Sequence, residues 1–380
     1  MKQSILVVAG EVSGDLHAAK VVQAVRQRCT STHFWGIGGD DLQAEGVELL
    51  QHTDQMAVMG IVEVLKHYRF FKNVFKQVLD EVDRRKPDAA LLVDYPGFNL
   101  RLAAELKKRG VKVFYYISPK VWAWNKKRIP KMAKVIDRLL VIFPFEVEVF
   151  KGSGLSVDFV GNPLVAQIDE FLSKDWKPLP WQSERRIALL PGSRKQEIER
   201  ILPTLLAAAK KLESQFSALS FIIAPPNERI EKIVQEQILQ CMEKPARLNV
   251  VCGGAREAMR QAEAAMVASG TATLETALIG TPHILVYKTS AFTCWFGRSV
   301  VKIAYLGLVN IIAGRTVCPE LIQEEATPDT LANETAKLMT DTPERRAMLE
   351  GYAEIRQLLG TKPAAENVAQ ILCEPPQKMQ

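Results

Sequence analysis

Short apolar runs alternate along this chain with longer segments in which apolar residues recur at helical spacing. In the first half of the chain these runs lie at residues 4–9, 33–39, 89–94, 111–117 and 137–143. In the second half they lie at residues 186–190, 220–224, 248–252, 264–268 and 282–287. Alternating strands and helices are typical of parallel sheets, so the pattern predicts an α/β protein made of two Rossmann-like halves.

The domain boundaries follow from the same pattern. We place the first domain at residues 1–165 and the second at residues 166–351, and a proline-containing stretch at residues 175–183 indicates a linker or surface loop. A helical segment at about residues 352–380 is expected to return to the first domain. Tandem Rossmann-like domains with a returning helix suggest the GT-B architecture, in which the two domains face a central cleft.

A glycine turn between the strand at 264–268 and the next helix is a candidate phosphate site. Gly270 lets the backbone approach a ligand closely, and the first helical turn offers unpaired N–H groups. Glu275 lies one turn further along the helix and could accept hydrogen bonds from ribose hydroxyls. Hydroxyl groups surround the turn, on Ser269, Thr271 and Thr273. The alternative is that these side chains cap the helix and favourably offset its dipole.

The loop after the first apolar run has a different character. Its residues include Glu11, Ser13, Gly14 and Asp15, and it lacks the G-x-G-x-x-G spacing of a dinucleotide site. Two carboxylates would repel a pyrophosphate, whereas they would suit the hydroxyl groups of a sugar. A capped turn is the alternative.

Asp94 ends the apolar run at 89–94, and Pro96 and Gly97 then break the strand. Ligands of open α/β sheets bind beyond the carboxyl ends of the strands. A carboxylate at such a position can act as a general base if its surroundings keep it ionised yet basic. The alternative is an Asx turn.

The second half opens on a comparable strand, loop and helix at residues 186–197. Ser193 and Gln196 have the spacing of a capping box, which predicts a helix that begins here with Arg194 at its positive end. A guanidinium beside unpaired N–H groups suits pyrophosphate. Gly192, Ser193 and Arg194 are therefore candidate phosphate ligands.

Two segments combine apolar or aromatic side chains with cations. Residues 57–71 form a long apolar stretch with interspersed cations, which predicts either a buried helix or an amphipathic surface that enters lipid. Residues 118–128 place Trp122 and Trp124 before three consecutive cations. That pattern fits either an RNA-stacking patch or a site for acyl lipid and phosphate.

Composition limits the classes of function. The chain has 380 residues, 47% of them hydrophobic and 24% charged, which is typical of globular proteins, and its net charge of +6 suggests an anionic partner. No apolar stretch approaches the roughly 18 residues of a membrane span, and the opening run is unlike a signal peptide, so we expect a cytoplasmic protein. The six cysteines and five histidines are dispersed, so we expect reduced thiols, no metal and no cofactor.

Eight segments, taken together and in this order, resemble lipid-A-disaccharide synthases: AGEVSGD, AVMGIVEVL, VDYPGFN, SPKVWAW, PGSRKQEI, SGTATLE, NIIAGR and LIQEE. The resemblance implies an inverting, metal-independent GT-B glycosyltransferase. The donor would be UDP-2,3-diacylglucosamine, and the acceptor would be the 6-hydroxyl of 2,3-diacylglucosamine 1-phosphate. The products would be the β-1,6-linked tetraacyl disaccharide 1-phosphate and UDP. The resemblance also implies peripheral association with the inner face of the cytoplasmic membrane and no nucleic-acid partner, and it allows for a homodimer.

The resemblance carries roles over to particular residues. It implies that Asp94 is the base, that Arg194 contacts the pyrophosphate and that Asn310 is a functional asparagine. The UDP-binding loop falls on Ser269, Gly270, Thr271, Thr273 and Glu275. The expected substrate contacts are Glu11, Ser13, Gly14, Asp15, Asn99, Ser118, Trp122, Gln323 and Glu324. The expected lipid-facing side chains are Met59, Val62, Leu65, Phe70, Trp124 and Trp295.

Two positions depart from some relatives. Gly97 stands where they have a second acid, which leaves Asp94 as the candidate base of that loop, and Asn162 stands where they have a histidine. Two other classes of function remain open on residue chemistry alone. One is an enzyme similar to UDP-N-acetylglucosamine 2-epimerase, which binds UDP without a second sugar. The other is a non-enzymatic module that binds nucleic acid or a membrane surface.

Overall fold

The computed structural model describes residues 3–56, 68–290 and 304–374. The chain divides into two compact units, one formed by Met1–Pro163 with Leu359–Gln380 and the other by Leu164–Leu358. Each unit is built on a parallel sheet, so the predicted α/β class is confirmed. The stretch at residues 175–183 lies inside the second unit, and the chain returns to the first unit at Leu359.

The first unit has a seven-stranded sheet in the order β3-β2-β1-β4-β5-β6-β7. Its strands are β1 (Ser4–Ala9), β2 (His33–Gly38), β3 (Glu48–His52), β4 (Ala89–Val93), β5 (Lys112–Tyr116), β6 (Arg138–Val141) and β7 (Ser156–Phe159). Its helices up to that point are α1 (Val12–Arg28), α2 (Asp40–Ala44), α3 (Tyr68–Arg85), α4 (Pro96–Lys108), α5 (Val121–Trp124), α6 (Ile129–Val135) and α7 (Pro144–Val149).

The second unit has a six-stranded sheet in the order β10-β9-β8-β11-β12-β13. Its strands are β8 (Arg185–Leu190), β9 (Leu219–Ile223), β10 (Leu248–Val250), β11 (Ala264–Ala268), β12 (His283–Tyr287) and β13 (Glu320–Ile322). The accompanying helices are α8 (Pro163–Ser173), α9 (Lys195–Gln215), α10 (Glu228–Gln240), α11 (Ala255–Gln261), α12 (Thr271–Ile279), α13 (Leu308–Ala313), α14 (Pro328–Leu338) and α15 (Pro343–Leu358).

The last helix, α16 (Ala364–Cys373), belongs to the first unit and packs on α1. Its side chains Val368 and Leu372 share a core with Val21 and Val25 of α1 on one face of the sheet. The opposite face of the sheet is covered by α3, α4 and α6. Within residues 3–56, 68–290 and 304–374, every helix is too short or too polar to span a lipid bilayer.

Both sheets have the same reversal of strand order. In the first unit β1 lies between β2 and β4, and in the second unit β8 lies between β9 and β11. The strand order therefore reverses between β1 and β4 and between β8 and β11, because the connections from these neighbouring strands run in opposite directions. Open α/β sheets bind ligands in the crevice beyond the carboxyl ends of such neighbouring strands. Ligand-binding groups are therefore expected in the loops after β1 and β4 and in those after β8 and β11.

Candidate active site

Three residues at the carboxyl edge of the first sheet adopt a left-handed backbone although none is glycine. The angle φ is 46° at Asp94 and 47° at Tyr95, directly after β4, and 66° at Ile117, directly after β5. Such a conformation is strained in a non-glycine residue, and strain of this kind clusters at functional sites where the surroundings enforce it.

Hydrogen bonds fix the backbone of Asp94. Its carbonyl oxygen accepts from Nδ2 of Asn99 at 2.9 Å and from the hydroxyl of Tyr115 at 2.5 Å, and its N–H donates to the carbonyl of Tyr116 at 2.9 Å. Asn99 is fully buried, and its amide also donates to the carbonyl of Val93 at 3.2 Å. The Nδ2 group of Asn99 thus holds the proposed base in position, whereas its Oδ1 is buried without a hydrogen-bond partner, and the substrate contact that the resemblance implies for Asn99 stays a prediction.

The carboxyl group of Asp94 has unusual electrostatics. Burial, followed by the charge of Glu11, raises the pKa of Asp94 to about 6, against the opposing influence of the Tyr95 N–H and Lys120. The loops after β1 and β4 touch, because a Cβ added at Gly10 would lie 2.4 Å from Cδ1 of Tyr95. The structure therefore brings the predicted residues Glu11 and Asp94 into one site, with a carboxylate whose pKa suits a general base.

The opening loop divides into exposed and buried parts. Helix α1 begins directly after Glu11, and Glu11 and Ser13 are both exposed. Gly14 is buried in the first turn of α1, where a Cβ would come into ordinary contact with Ala9 and Val93. Glu11 and Ser13 are thus accessible to a ligand, whereas Gly14 packs against the sheet.

Asp15 performs a structural role. It is 3% exposed, and its carboxylate accepts hydrogen bonds from the N–H groups of Gly39 at 2.6 Å, Asp41 at 2.9 Å and Leu42 at 3.4 Å. These donors belong to the start of α2, which has no cap from its own N-cap residue. Asp15 therefore caps a neighbouring helix, and the sugar contact that the resemblance implies for it stays a prediction.

We expect Asp15→Ala to lower the free energy of unfolding by about 2 to 3 kcal/mol, because it leaves buried N–H groups unpaired. Asp40→Ala is the matched control, since the Asp40 side chain is 95% exposed at the start of the same helix. It should change stability by less than about 0.5 kcal/mol. Denaturant unfolding measures both. A large loss of turnover by Asp15→Ala without loss of stability would restore the sugar-binding role.

The loop after β5 is also packed within the unit. Ser118 is buried and its hydroxyl donates to the carbonyl of Pro119 at 3.1 Å. The half-buried indole of Trp122 meets the ring of Phe145 edge to face at 5.0 Å. Ser118 and Trp122 thus both make contacts within the first unit, and their implied contacts with substrate stay predictions.

The predicted lipid-facing set is described in part. Phe70 is half-buried, packs against the core and meets the ring of Phe71 at 5.6 Å. This contact fits the buried-helix alternative for that residue. The remaining predictions lie outside the described residues or side chains, and they concern Met59, Val62, Leu65, Trp124 and Trp295.

In the second unit, the loop after β8 differs from the predicted capping box. The carboxylate of Glu197 accepts from the N–H groups of Ser193 at 3.0 Å and Arg194 at 3.2 Å, so the cap is Glu197 and not the pair of Ser193 and Gln196. Gly192 has φ of 111°, and a Cβ there would lie 2.5 Å from Oε2 of Glu197. The Arg194 side chain is 80% exposed and donates to Glu197 at 2.7 Å, which orients its guanidinium.

The loop after β11 retains the features of an anion site. Helix α12 begins at Thr271 after Gly270, and its N-cap makes no side-chain hydrogen bond. Gly270 has φ of 155° and ψ of −164°, a conformation that is essentially limited to glycine. Ser269 is half-buried while Gly270 and Thr271 are exposed. The structure thus shows no side-chain cap at the start of α12, and the first N–H groups of a helix without such a cap can bind an anion.

The other two members of the predicted UDP-binding loop behave differently. Thr273 is fully buried, and its hydroxyl donates to the carbonyl of Gly270 at 2.8 Å, so it shapes the turn instead of contacting a phosphate. Glu275 accepts from Arg256 at 2.6 Å, and Arg256 also donates to Gln167 at 3.4 Å. Arg256 thus positions Glu275, a relation that sequence spacing did not reveal because nineteen residues separate the two.

Asn310 is a buried clamp. Its Nδ2 donates to the carbonyl of Cys318 at 2.9 Å and to Glu320 at 2.8 Å, and its Oδ1 accepts from the N–H groups of Val317 at 2.7 Å and Cys318 at 3.0 Å. The side chain is fully buried, and both its amide atoms are engaged. Asn310 therefore fixes the segment that leads into β13, and the catalytic role that the resemblance implies for it stays a prediction.

Gln323 and Glu324 follow β13. Oε1 of Gln323 accepts from the N–H of Thr289 at 2.6 Å, and Nε2 donates to the Thr289 carbonyl at 3.3 Å. Gln323 thus holds the backbone beyond β12, whereas Glu324 is exposed.

Asn162, at the edge of the first unit, donates from Nδ2 to the carbonyl of Ile142 at 3.2 Å. In the described residues, no group of three or more His, Cys, Asp or Glu side chains could hold a metal ion.

The sequence matches the family model described as lipid-A-disaccharide synthetase over residues 5–371. The chain belongs to this family. The lipid-A-disaccharide synthase of Syntrophus aciditrophicus (strain SB) is 41% identical over 368 residues, which cover 96% of each chain. The protein is accordingly a glycosyltransferase of lipid A biosynthesis, and the epimerase-like and non-enzymatic alternatives fall away.

Solved structures establish the fold of this lipid-A-disaccharide synthetase family member. MurG of Acinetobacter baumannii has a TM-score of 0.58 at 15% identity and covers 97% of this chain and 98% of its own. The UDP-GlcNAc 2-epimerase of Neisseria meningitidis, bound to UDP-GlcNAc, has a TM-score of 0.60 at 11% identity and covers 97% and 98%. The GT-B prediction is confirmed by these neighbours.

Proposed function

We propose that the enzyme transfers 2,3-diacylglucosamine from UDP-2,3-diacylglucosamine to the 6-hydroxyl of 2,3-diacylglucosamine 1-phosphate. The products are the β-1,6-linked tetraacyl disaccharide 1-phosphate and UDP. One observation supports this reaction in addition to the family membership, and it concerns Asp94. Its backbone is left-handed, its carboxyl group is close enough to Glu11 to be influenced by that charge, and burial raises its pKa to about 6.

The reaction needs a base and a stabilised leaving group. The carboxylate of Asp94 takes the proton of the acceptor 6-hydroxyl as that oxygen attacks the anomeric carbon of the donor from the face opposite UDP. The bond between the anomeric carbon and the phosphate oxygen breaks, its electron pair leaves on UDP, and the configuration inverts. This geometry requires one carboxylate and no covalent intermediate.

The second unit supplies the groups for UDP. The exposed guanidinium of Arg194 and the N–H groups at the start of α12 offset the charge that develops on the leaving diphosphate. Glu275, held by Arg256, is placed to accept from the ribose hydroxyls. We propose that these groups replace a metal, so that the transfer proceeds in a chelator.

We further propose that the enzyme works at the inner face of the cytoplasmic membrane as a peripheral protein. Both substrates carry two acyl chains, which are partitioned into lipid, so a membrane-bound enzyme meets them at high local concentration. Nucleic acid is no part of this proposal, and a homodimer is compatible with it.

Incubation in detergent with donor, with and without acceptor, in EDTA, should give UDP and disaccharide only when the acceptor is present. Chromatography of both products measures the transfer. UDP release without acceptor would indicate hydrolysis or epimerase-like chemistry and contradict the proposal, and activity that is lost in EDTA and restored by a divalent cation would contradict its metal independence.

A further inference from the structure

A groove runs between helices α4 and α6 on the face of the first sheet that also carries α3. Its volume is about 570 Å³, within the range of sites for small ligands. Its apolar lining comes from Leu100 and Ala104 of α4 and from Met132 and Val135 of α6. An apolar lining of this kind suits a hydrocarbon chain better than a free polar metabolite.

The charged residues that line the groove all have one sign. They are Arg101, Arg128, Lys131 and Lys134, and no carboxylate is among the lining residues. Arg101, Lys131 and Lys134 are exposed, and within the described ranges none has an acidic partner within 4 Å. Four cations around one apolar groove create a field that attracts an anion.

The cations at the end of α4 provide a contrast. Lys107 pairs with Asp137, Lys108 with Glu105 at 2.6 Å, and Arg109 with Asp83 at 2.7 Å. Basic residues on this surface are thus paired with carboxylates outside the groove, whereas Arg101, Lys131 and Lys134, which line the groove, have no acidic partner within 4 Å among the described residues. An anionic ligand accounts for that difference, since it would supply the missing negative charge.

The position of the groove relates it to the proposed base. Pro96 and Gly97 line one end of the groove and follow Asp94 and Tyr95 directly in the chain. The same helix α4 carries Asn99, which holds the carbonyl of Asp94. A ligand in the groove therefore reaches the carboxyl edge of the sheet where the acceptor hydroxyl must lie.

We infer that the groove between α4 and α6 binds the acceptor, with its 1-phosphate among the four cations and an acyl chain along the apolar floor. This inference rests on the proposed function, which requires a substrate with a phosphate, an acyl chain and a reactive hydroxyl on one sugar. The cations Arg101, Lys131 and Lys134, which have no acidic partner among the described residues, match the phosphate. The apolar lining matches the acyl chain, and the adjacent Asp94 matches the reactive hydroxyl.

The test uses the double variant Lys131→Ala/Lys134→Ala of the full chain in detergent. We expect the KM for 2,3-diacylglucosamine 1-phosphate to rise about tenfold or more, because charge-assisted hydrogen bonds to the phosphate are lost. The KM for the donor and kcat should stay within about twofold. The matched control is Lys107→Ala/Lys108→Ala, which removes the same charge from α4 outside the groove and should leave all three parameters unchanged. The exposed positions of all four lysines keep the fold intact.

A second substrate makes the test specific for the phosphate. With 2,3-diacylglucosamine, which lacks the phosphate, the parent enzyme should lose affinity and the double variant should show no further rise in KM. An equal rise for both acceptors would overturn the inference, because the lysines would then not contact the phosphate.

The membrane is the competing occupant. If the double variant lost binding to phosphatidylglycerol vesicles but kept the parent KM for the acceptor in detergent, the groove would serve a membrane lipid and the inference would be wrong. A parent enzyme without acceptor-dependent transfer would instead overturn the proposed function, and the acceptor assignment with it.

Discussion

Asp94→Asn should lower kcat about a thousandfold, because the amide cannot take the proton of the acceptor hydroxyl. Affinity for UDP should be unchanged, since the groups proposed to bind UDP belong to the second unit. Steady-state kinetics and calorimetric titration with UDP measure the two quantities. Asp88→Asn is the matched control, because Asp88 lies at the other end of the same strand, where it accepts from the N–H of Ser4 at 2.8 Å.

The pH dependence gives a second readout for the same residue. A base must be ionised, so kcat/KM of the parent enzyme should rise with pH and level off above the pKa of Asp94, which burial raises to about 6. The variant should lose this inflection along with its activity. Turnover near that of the parent, or an equal loss in Asp88→Asn, would remove Asp94 from the role of base.

The stability of Asp94→Asn separates loss of function from loss of fold. A carboxyl whose pKa is higher in the folded state binds protons more tightly there, so its ionisation opposes folding as pH rises from about 4 to about 6. Above that range the ionised carboxylate of Asp94 lowers the free energy of unfolding, whereas a neutral amide at this position does not. The variant should therefore unfold at a Tm no lower than that of the parent at neutral pH.

Arg194→Ala should lower kcat/KM for the donor by about a hundredfold or more, because one group that stabilises the leaving diphosphate is removed. The loss should appear mainly in kcat if the guanidinium acts on the charge that develops during bond breaking. Stability should hardly change, since the ion pair between Arg194 and Glu197 is largely exposed on the arginine side.

Arg200→Ala is the control for Arg194, because it removes the same charge from an exposed position further along α9. It should leave kcat and KM unchanged. A fall in Tm that matches the fall in activity of Arg194→Ala, or an equal effect of Arg200→Ala, would mean that Arg194 acts through the fold or through general charge. Kinetics and thermal unfolding on the three proteins decide between these outcomes.

The pattern of apolar runs was sufficient to predict the strands that lie in the middle of each sheet. Their residues are apolar at nearly every position, as in β4, because both faces of a parallel sheet are covered. Three of the four edge strands, β3, β7 and β13, escaped prediction, whereas β10 lies within a predicted run. The three missed strands are short and carry polar residues, because an edge strand is partly exposed and its signal is weak.

The candidate site was predicted in kind but not in detail. Motif positions identified Asp94, Arg194 and the turn at Gly270 as candidates. They also implied substrate contacts for Asp15 and Asn99 and a catalytic role for Asn310, and the sequence did not show that these side chains hydrogen-bond to the protein. The sequence shows which polar residues belong to a loop. It does not state whether they face solvent or backbone, because that depends on elements brought together by the fold, as when Asp15 meets α2.

The left-handed residues could not be foreseen for a related reason. Positive φ is uncommon for any residue but glycine and is rarest for bulky or β-branched side chains such as those of Tyr95 and Ile117, so local preferences do not predict it at these positions. Tertiary hydrogen bonds from Asn99 and Tyr115 override that preference at Asp94. The backbone conformation at Asp94 is thus set by groups that meet only in the folded unit.

The packing of α16 on α1 has a consequence for biosynthesis. Because the ribosome makes the chain from residue 1 onward, all of Leu164–Leu358 emerges before Val368 and Leu372 can cover the face of α1 that they share with Val21 and Val25. The second unit can complete its core while the first still exposes an apolar helix face to the cell. The first unit is thus synthesised first but completes its folding last. During that stage a chaperone that recognises apolar helices could bind the exposed face of α1.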